Sequence, residues 1–261
     1  MPFRFPLPPL RTGTLVDRYV RFLADVRLDT GELVTAHCVN SGRMEGMVRP
    51  GAKVWLSDAD KPGRKLRYTW ELSEIDGTLI GANTILPNRM VRAALEAKAI
   101  AGFEDVVTLA PERTHGPGHR VDFWMQHASG AEHWLEVKNC HLVYPDGFGY
   151  FPDSHSERAA RHARALARIV RAGGRATIVF TVQRADVMGV RPSSVHDPDF
   201  ARALRDAGRA GVAMRALVFA PSPSGFELVR EVPVDLAPYP LPKVRDYAAA
   251  LAAQSGWRRR P

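Results

Sequence analysis

The chain has 261 residues, 45% hydrophobic and 25% charged, with a formal net charge of +8. That balance excludes a disordered chain and favours polyanionic partners, and two cysteines are too few for a disulfide scaffold or a cysteine-rich zinc site. No apolar run is long enough to cross a bilayer, and the prolines of MPFRFPLPPL break what a signal peptide needs, so the expected compartment is the cytoplasm.

In chain order, residues 1–13 read as a proline-rich lead-in. RYVRFLADVRL (18–28) alternates, with Val20, Phe22, Ala24, Val26 and Leu28 on one face, and predicts a strand. LVTAHCV, GAKVWLS, KLRYTWEL and TLIGAN follow as strands, punctuated by DTGE, Pro50-Gly51 and Asp76-Gly77. In KLRYTWEL, Leu66, Tyr68, Trp70 and Leu72 are assigned inward and Lys65, Arg67, Thr69 and Glu71 outward. Five short strands predict a small barrel of the oligonucleotide-binding kind. Its outward face carries Arg21, Arg27, Lys65 and Arg67. In the turn-rich HCVNSGRMEG, Asn40 and Ser41 either donate to a phosphate or shape the turn.

The pattern changes after residue 83. RMVRAALEAKAI reads as a helix and EDVVTLAPER as extended. SERAARHARALARIVRAGG is a helix stopped by Gly173-Gly174, with Arg161, Arg164, Arg168 and Arg171 opposite its apolar side. RATIVFTVQ is a core strand. Asp197-Pro198 opens the helix DFARALRDAGRAG, and VAMRALVFA and FELVREV form a hairpin about PSPSG. Strands interleaved with helices predict a mixed sheet with helices packed on it. The expected organisation is a barrel over 1–82, an α/β domain over 83–235, and a C-terminal segment with a basic tail over 236–261.

HRVDFWMQ and EHWLEVKN each place a carboxylate, Asp122 and Glu136, inside an apolar strand that gains nothing from charge. Paired as a hairpin, these strands let the two carboxyls approach. Lys138, two residues beyond Glu136, points to the same face. Two carboxylates plus a carbonyl form a hard oxygen site suited to Mg²⁺ or Mn²⁺. Such an ion polarises a phosphodiester and acidifies water, while the lysine orients the water or stabilises charge on phosphorus. The competing reading is a salt-bridged trio on an exposed strand. No Walker loop or serine or cysteine nucleophile motif occurs, and no organic cofactor is expected. In FPDSHSERAARH, Ser154 and Glu157 have capping-box spacing, and Arg158 and His162 share a helix face. Glu112, Asp153, Glu157, Arg158 and His162 are assigned as supporting residues around the site.

One further pattern spans the chain. The segments RYVRFLADVRL (18–28), AHCVNSGRMEG (36–46), RPGAKVWLS (49–57), RKLRYTWEL (64–72), NTILPNRM (83–90), RVDF (120–123), EVKN (136–139), YFPDSHSERAARH (150–162) and HDPDFARALRDAGRAGV (196–212) occur in order. With them the chain resembles, nearly end to end, the bacterial and archaeal sugar fermentation stimulation protein family. The resemblance implies a five-stranded oligonucleotide-binding-like barrel followed by a restriction-endonuclease-like, or PD-(D/E)XK, α/β domain. It implies binding of single- or double-stranded DNA without sequence preference, no membrane partner, and a metal-dependent nuclease-like site at Asp122, Glu136 and Lys138. The alternative is a DNA-binding regulator linked to sugar (maltose) metabolism, weak or inactive in cleavage. The chain departs from the family pattern at Ala93, where the family has an acid in the first helix of the second domain. Glu96, three residues on, is the candidate substitute. His119 stands for the family's serine before RVDF, SERA (156–159) for its TERG, and Arg161 for its lysine before the histidine.

Overall fold

The structure, a computed structural model, describes residues 2–40, 42–59, 63–115 and 120–254. The chain opens with strands β1 (Arg4–Pro6), β2 (Leu10–Tyr19), β3 (Leu23–Leu28), β4 (Leu33–His37), β5 (Lys53–Asp58), β6 (Tyr68–Ile75) and β7 (Thr78–Gly81). Five of them close a barrel in the order β4-β3-β2-β5-β6, and β4 returns to β6 where Ala36 and His37 face Tyr68 and Thr69. The number of strands is as expected, but the membership differs. The expected first strand, 18–28, is the end of β2, a turn at 20–22, and β3. The expected fifth, TLIGAN, contributes β7, which pairs with β6 outside the ring.

β2 hides from a periodicity search because its buried positions are Gly13, Leu15 and Arg18. Gly13 is required by close approach, since a Cβ there would lie 2.5 Å from the Arg27 carbonyl oxygen. A register shift between Leu15 and Asp17 then turns Arg18 inward. Apolar side chains including Leu15, Val26, Val54, Leu56 and Trp70 fill the barrel. β6 is buried on both faces, so Thr69 and Glu71, expected outward, are each only 5% exposed. The cause is the second domain: Trp55 and Leu72, paired across a β5–β6 register shift, leave the barrel core and pack on it.

The second unit comprises α1 (Leu86–Glu96), β8 (Val106–Pro111), β9 (Phe123–His127), β10 (Glu132–Cys140), β11 (Phe148–Phe151), α2 (Glu157–Arg171), β12 (Arg175–Val182), β13 (Gly189–Pro192), α3 (Pro198–Arg209), β14 (Ala213–Ser222), β15 (Gly225–Val232) and α4 (Leu241–Gln254). Its main sheet runs β1-β15-β14-β12-β10-β9-β8, with β10, β12 and β14 parallel and the flanking pairs antiparallel. α2 and α3 cover one face, over Trp134, Ile178 and Phe180. α1 and the barrel cover the other, over Leu135, Val137, Val179 and Leu217.

Both ends of the chain depart from the expected division. β1 pairs with β15, Arg4 opposite Glu227, so residues 4–6 lie in the sheet of the second unit and not in the barrel. α4 was not expected as a helix. Val244 is its single buried residue, too little apolar periodicity to read. It nevertheless ties the two units, with Val244 on Tyr144 and Tyr150 and Gln254 accepting from Arg49 at 3.1 Å. The expected basic tail, 255–261, lies outside the described residues. No helix among the described residues is long and apolar enough to cross a membrane.

Candidate active site

The hairpin of β9 and β10 sets the site by register. Phe123 faces Leu135 in the last pair of the ladder. Asp122 and Glu136 are the next residue on each strand, so they oppose each other. In a pleated pair, opposed residues share a face. Asp122 uses its side chain where the backbone ladder stops. Its Oδ2 accepts the Val137 N–H at 2.7 Å, and its Oδ1 accepts Asn88 Nδ2 from α1 at 2.8 Å. Glu136 is 2% exposed. Its Oε1 accepts Lys138 Nζ at 2.7 Å and meets His162 Nδ1 from α2. Arg158 Nε donates to His162 Nε2 at 3.4 Å, which leaves the ring proton on Nδ1, toward Glu136. Glu136 Oε2 is buried and has no hydrogen-bond partner among the described residues.

The two carboxyls are pushed apart in acidity. Burial raises Asp122, and the neighbouring Glu136 charge raises it further, against weaker opposition from the Val137 N–H, Lys138 and Asn88. Burial would raise Glu136 too, but Lys138 and His162 together outweigh it and the carboxyl is lowered. One ionised acid beside one reluctant acid is an arrangement that functional sites use. Among the described residues no three His, Cys, Asp or Glu side chains gather into a metal-holding group. The oxygens available to a hard cation are therefore those of Asp122 and the bare Oε2 of Glu136, a donor set that leaves positions for water and substrate.

The other assigned residues divide. His162 joins the cluster, and Arg158 touches it only through His162. Glu112 sends its side chain to Arg120 at 2.8 Å in solvent, although its backbone N–H donates to the Asp122 carbonyl. Glu157 is exposed beside Arg161. The expected capping box of Ser154 and Glu157 does not form. Ser156 caps α2 instead, accepting from Ala159 N at 3.2 Å, because its own N–H is held by Asp197 at 2.8 Å. Glu96 does not replace the missing acid at Ala93, since it pairs with Arg92 on the exposed side of α1. Asn88 is the α1 residue that reaches Asp122, and no sequence signal singled it out.

Asp153 is half-buried elsewhere, where the barrel meets the sheet domain. Its Oδ2 accepts the Met44 N–H at 3.3 Å and lies 3.4 Å from His141 Nε2. Burial would raise this carboxyl, but His141, the Met44 N–H and His196 outweigh it and hold it at about 2. His196 in turn faces Glu45 at 3.6 Å and the Tyr144 hydroxyl at 2.9 Å.

The expected basic face also divides. Arg21 sits in the β2–β3 turn and Lys65 in the β5–β6 loop. Both lie toward the end of the barrel where Leu23 faces His37 and His37 faces Thr69. Arg67 lies at the same end, but Asp58 holds it through two hydrogen bonds of 2.8 and 2.6 Å. Arg27 is opposite Leu33, four residues along β3, about 13 Å away. Asn40 is 4% exposed and its Oδ1 accepts the Gly42 N–H, so it shapes the turn. Ser41 lies outside the described residues.

Two family models match the two units: a sugar fermentation stimulation protein RE domain over residues 85–225, and an N-terminal OB domain over residues 16–82. Sugar fermentation stimulation protein homologs from Geobacter sulfurreducens and Maricaulis maris are 46% and 43% identical, over 87% and 90% of this chain and 96% and 99% of their own lengths. The solved structure of Pyrococcus furiosus SfsA in complex with Ca²⁺ aligns with a TM-score of 0.81 at 28% identity, covering 90% of this chain and 99% of that one. The architecture is an OB-type barrel followed by a restriction-endonuclease-like α/β domain.

Proposed function

The chain belongs to the sugar fermentation stimulation protein family, and from that premise we propose that it binds DNA without sequence preference and carries a Mg²⁺- or Mn²⁺-dependent site for phosphodiester cleavage. The observation that carries this reading is the pair of opposed carboxylates, Asp122 and Glu136, with Glu136 Oε2 buried and unpartnered beside Lys138. A desolvated carboxylate oxygen with no donor is costly unless something binds it. The Pyrococcus furiosus relative bound to Ca²⁺, another cation of oxygen ligands, adds support.

Asp122 and Glu136 would hold the ion, whose part is to polarise the phosphodiester and acidify water. The remaining work falls to the chain itself. Asn88 and the Val137 N–H fix the Asp122 carboxylate, so its aim does not depend on the ion. Lys138, hydrogen-bonded to Glu136, would stabilise charge building on the phosphate. His162 holds a proton at Nδ1 and anchors α2 over the site. Arg21 and Lys65 would supply the salt-sensitive attraction to the DNA backbone, while Asp58 draws off the charge of Arg67.

The test incubates purified protein with labelled single- and double-stranded DNA, with Mg²⁺, Mn²⁺ or a chelator. Cleavage with either ion and none with chelator is expected, as is binding that falls steeply with salt. Cleavage that survives the chelator, or binding indifferent to salt, rejects the proposal. A second reading, the DNA-binding regulator that cuts weakly or not at all, is favoured by Ala93 and by Glu96 turning to Arg92, which leave only neutral Asn88 from α1 at the site. It expects the same binding without cleavage.

A further inference from the structure

Val20 and Phe22 alternate with Arg21 in a stretch that reads as the apolar face of a strand, yet they are 62% and 46% exposed. They form the tip of the β2–β3 turn. Val20 and Arg21 have φ of 49° and 63°, the left-handed region that β-branched residues in particular avoid. Two consecutive non-glycine residues there cost energy that the surroundings must hold in place. The surroundings do so from inside. Arg18, fully buried, donates to the Arg21 carbonyl at 2.8 Å and also to the Asn40 and Gly42 carbonyls. The Cys38 N–H donates to the Phe22 carbonyl at 2.8 Å. The backbone of the tip is therefore anchored, while its side chains face solvent. An asparagine-glycine pair would make such a turn without strain and without an exposed phenyl ring.

We propose that this tip is a stacking point for single-stranded DNA, with the Phe22 ring against a base and Arg21 on an adjoining phosphate, an inference that rests on the DNA-binding reading above. Charge complementarity selects the occupant. Among the described residues the Arg21 side chain makes no ion pair, and Lys65, exposed at the same barrel end, makes none. An exposed aromatic ring at a barrel end that also carries exposed cations suits a flexible polyanion with accessible base faces; in a duplex those faces are hidden in the stack. The tip is also linked by hydrogen bonds to the helix that reaches Asp122. Arg18 links it to the Asn40 carbonyl, the neighbouring Val39 carbonyl accepts Thr84 Oγ1 at 3.3 Å, and Thr84 leads into α1, whose Asn88 holds Asp122.

The test measures full-length protein against a fluorescent oligothymidylate and a duplex of equal length across a salt series. An oligonucleotide carrying 2-aminopurine, whose fluorescence is quenched by stacking, reports the contact itself. Phe22→Ala should weaken single-strand binding by about 5- to 100-fold with an unchanged salt slope and leave the duplex unaffected. It should also abolish the quenching, and Phe22→Trp should restore both. Arg21→Ala should reduce the salt slope by about one. If Phe22→Ala binds and quenches like the parent, the stacking point is wrong while DNA binding stands. Equal losses on single strand and duplex, unrescued by tryptophan, also overturn it. If the parent protein binds neither DNA, both readings fall.

Discussion

Glu136 is a buried acid and Asp153 a half-buried one of the second domain, and each faces a histidine, yet their surroundings make them opposites. Asp153 has both oxygens engaged, one by Ser154 Oγ and the other by the Met44 N–H with His141 alongside, and its carboxyl is held at about 2. Its donors come from both domains, which makes it a joint. Glu136 crowds Lys138 and His162 onto one oxygen, leaves the other bare, and faces a second carboxyl that is raised. A buried acid whose lone pairs are used locally has nothing left to bind. One with a bare oxygen opposite another acid has been left open by its own neighbours.

The largest expected effect separates the two by activity. Glu136→Ala should lose Mg²⁺- or Mn²⁺-dependent cleavage by at least about 100-fold, because on the proposed reading it removes an ion ligand as well as the anchor of Lys138. Asp153→Asn should keep cleavage within several-fold. A readout independent of activity is thermal unfolding with Mn²⁺. At an ion concentration of about 100 times Kd, the parent should gain about 2.7 kcal/mol, and Glu136→Ala should gain nothing. Equal loss of cleavage in both variants would dissolve the distinction between site and joint.

Stability should separate them in the other direction. The folded Asp153 carboxyl, at about 2, is depressed below an unfolded value near 3.9. Its contribution is thus present above about pH 4 and lost as pH falls toward 2. The difference corresponds to about 2–3 kcal/mol by linkage. Urea titrations at neutral pH should show Asp153→Asn destabilised by about that amount. The gap to the parent should narrow once pH drops below about 4. A gap that is constant with pH would mean that packing and not charge holds this joint.

The sequence showed most where one segment carries its own signal. β12, α2 and α3 follow from their apolar periods, and Asp197-Pro198 marks the start of α3. The convergence of Asp122, Glu136 and Lys138 was readable because a short hairpin fixes register locally. What depends on a distant partner was not readable. β2 buries a glycine and an arginine where a strand should bury apolar groups. Asp153 was placed at the site because its motif adjoins α2, whereas its donors include Met44, 109 residues away. Phe22 reads as one face of a strand with Ala24, Val26 and Leu28 because alternation across 18–28 is unbroken, and nothing local announces that Arg18 folds the chain back at 20–22.

The smallest expected effect is the sharpest test, because its sign is opposite to that of Asp153. Asp122 has a raised carboxyl in the folded protein. A raised acid contributes stability that is fully present below its unfolded pKa and is lost as pH rises through the folded value. In metal-free protein at neutral pH, holding Asp122 ionised opposite Glu136 is therefore a cost. Asparagine keeps an oxygen for the Val137 N–H and removes the charge. Asp122→Asn should leave metal-free stability unchanged or raise it, by no more than about 1 kcal/mol. Lowering the pH should bring the parent up toward the variant, whereas for Asp153→Asn it brings the parent down. Adding Mn²⁺ should reverse the order at neutral pH, since only the parent keeps both carboxylates for the ion. A clear loss of metal-free stability in Asp122→Asn would make Asp122 a structural acid like Asp153, and the opposed carboxylates would no longer argue for a cation.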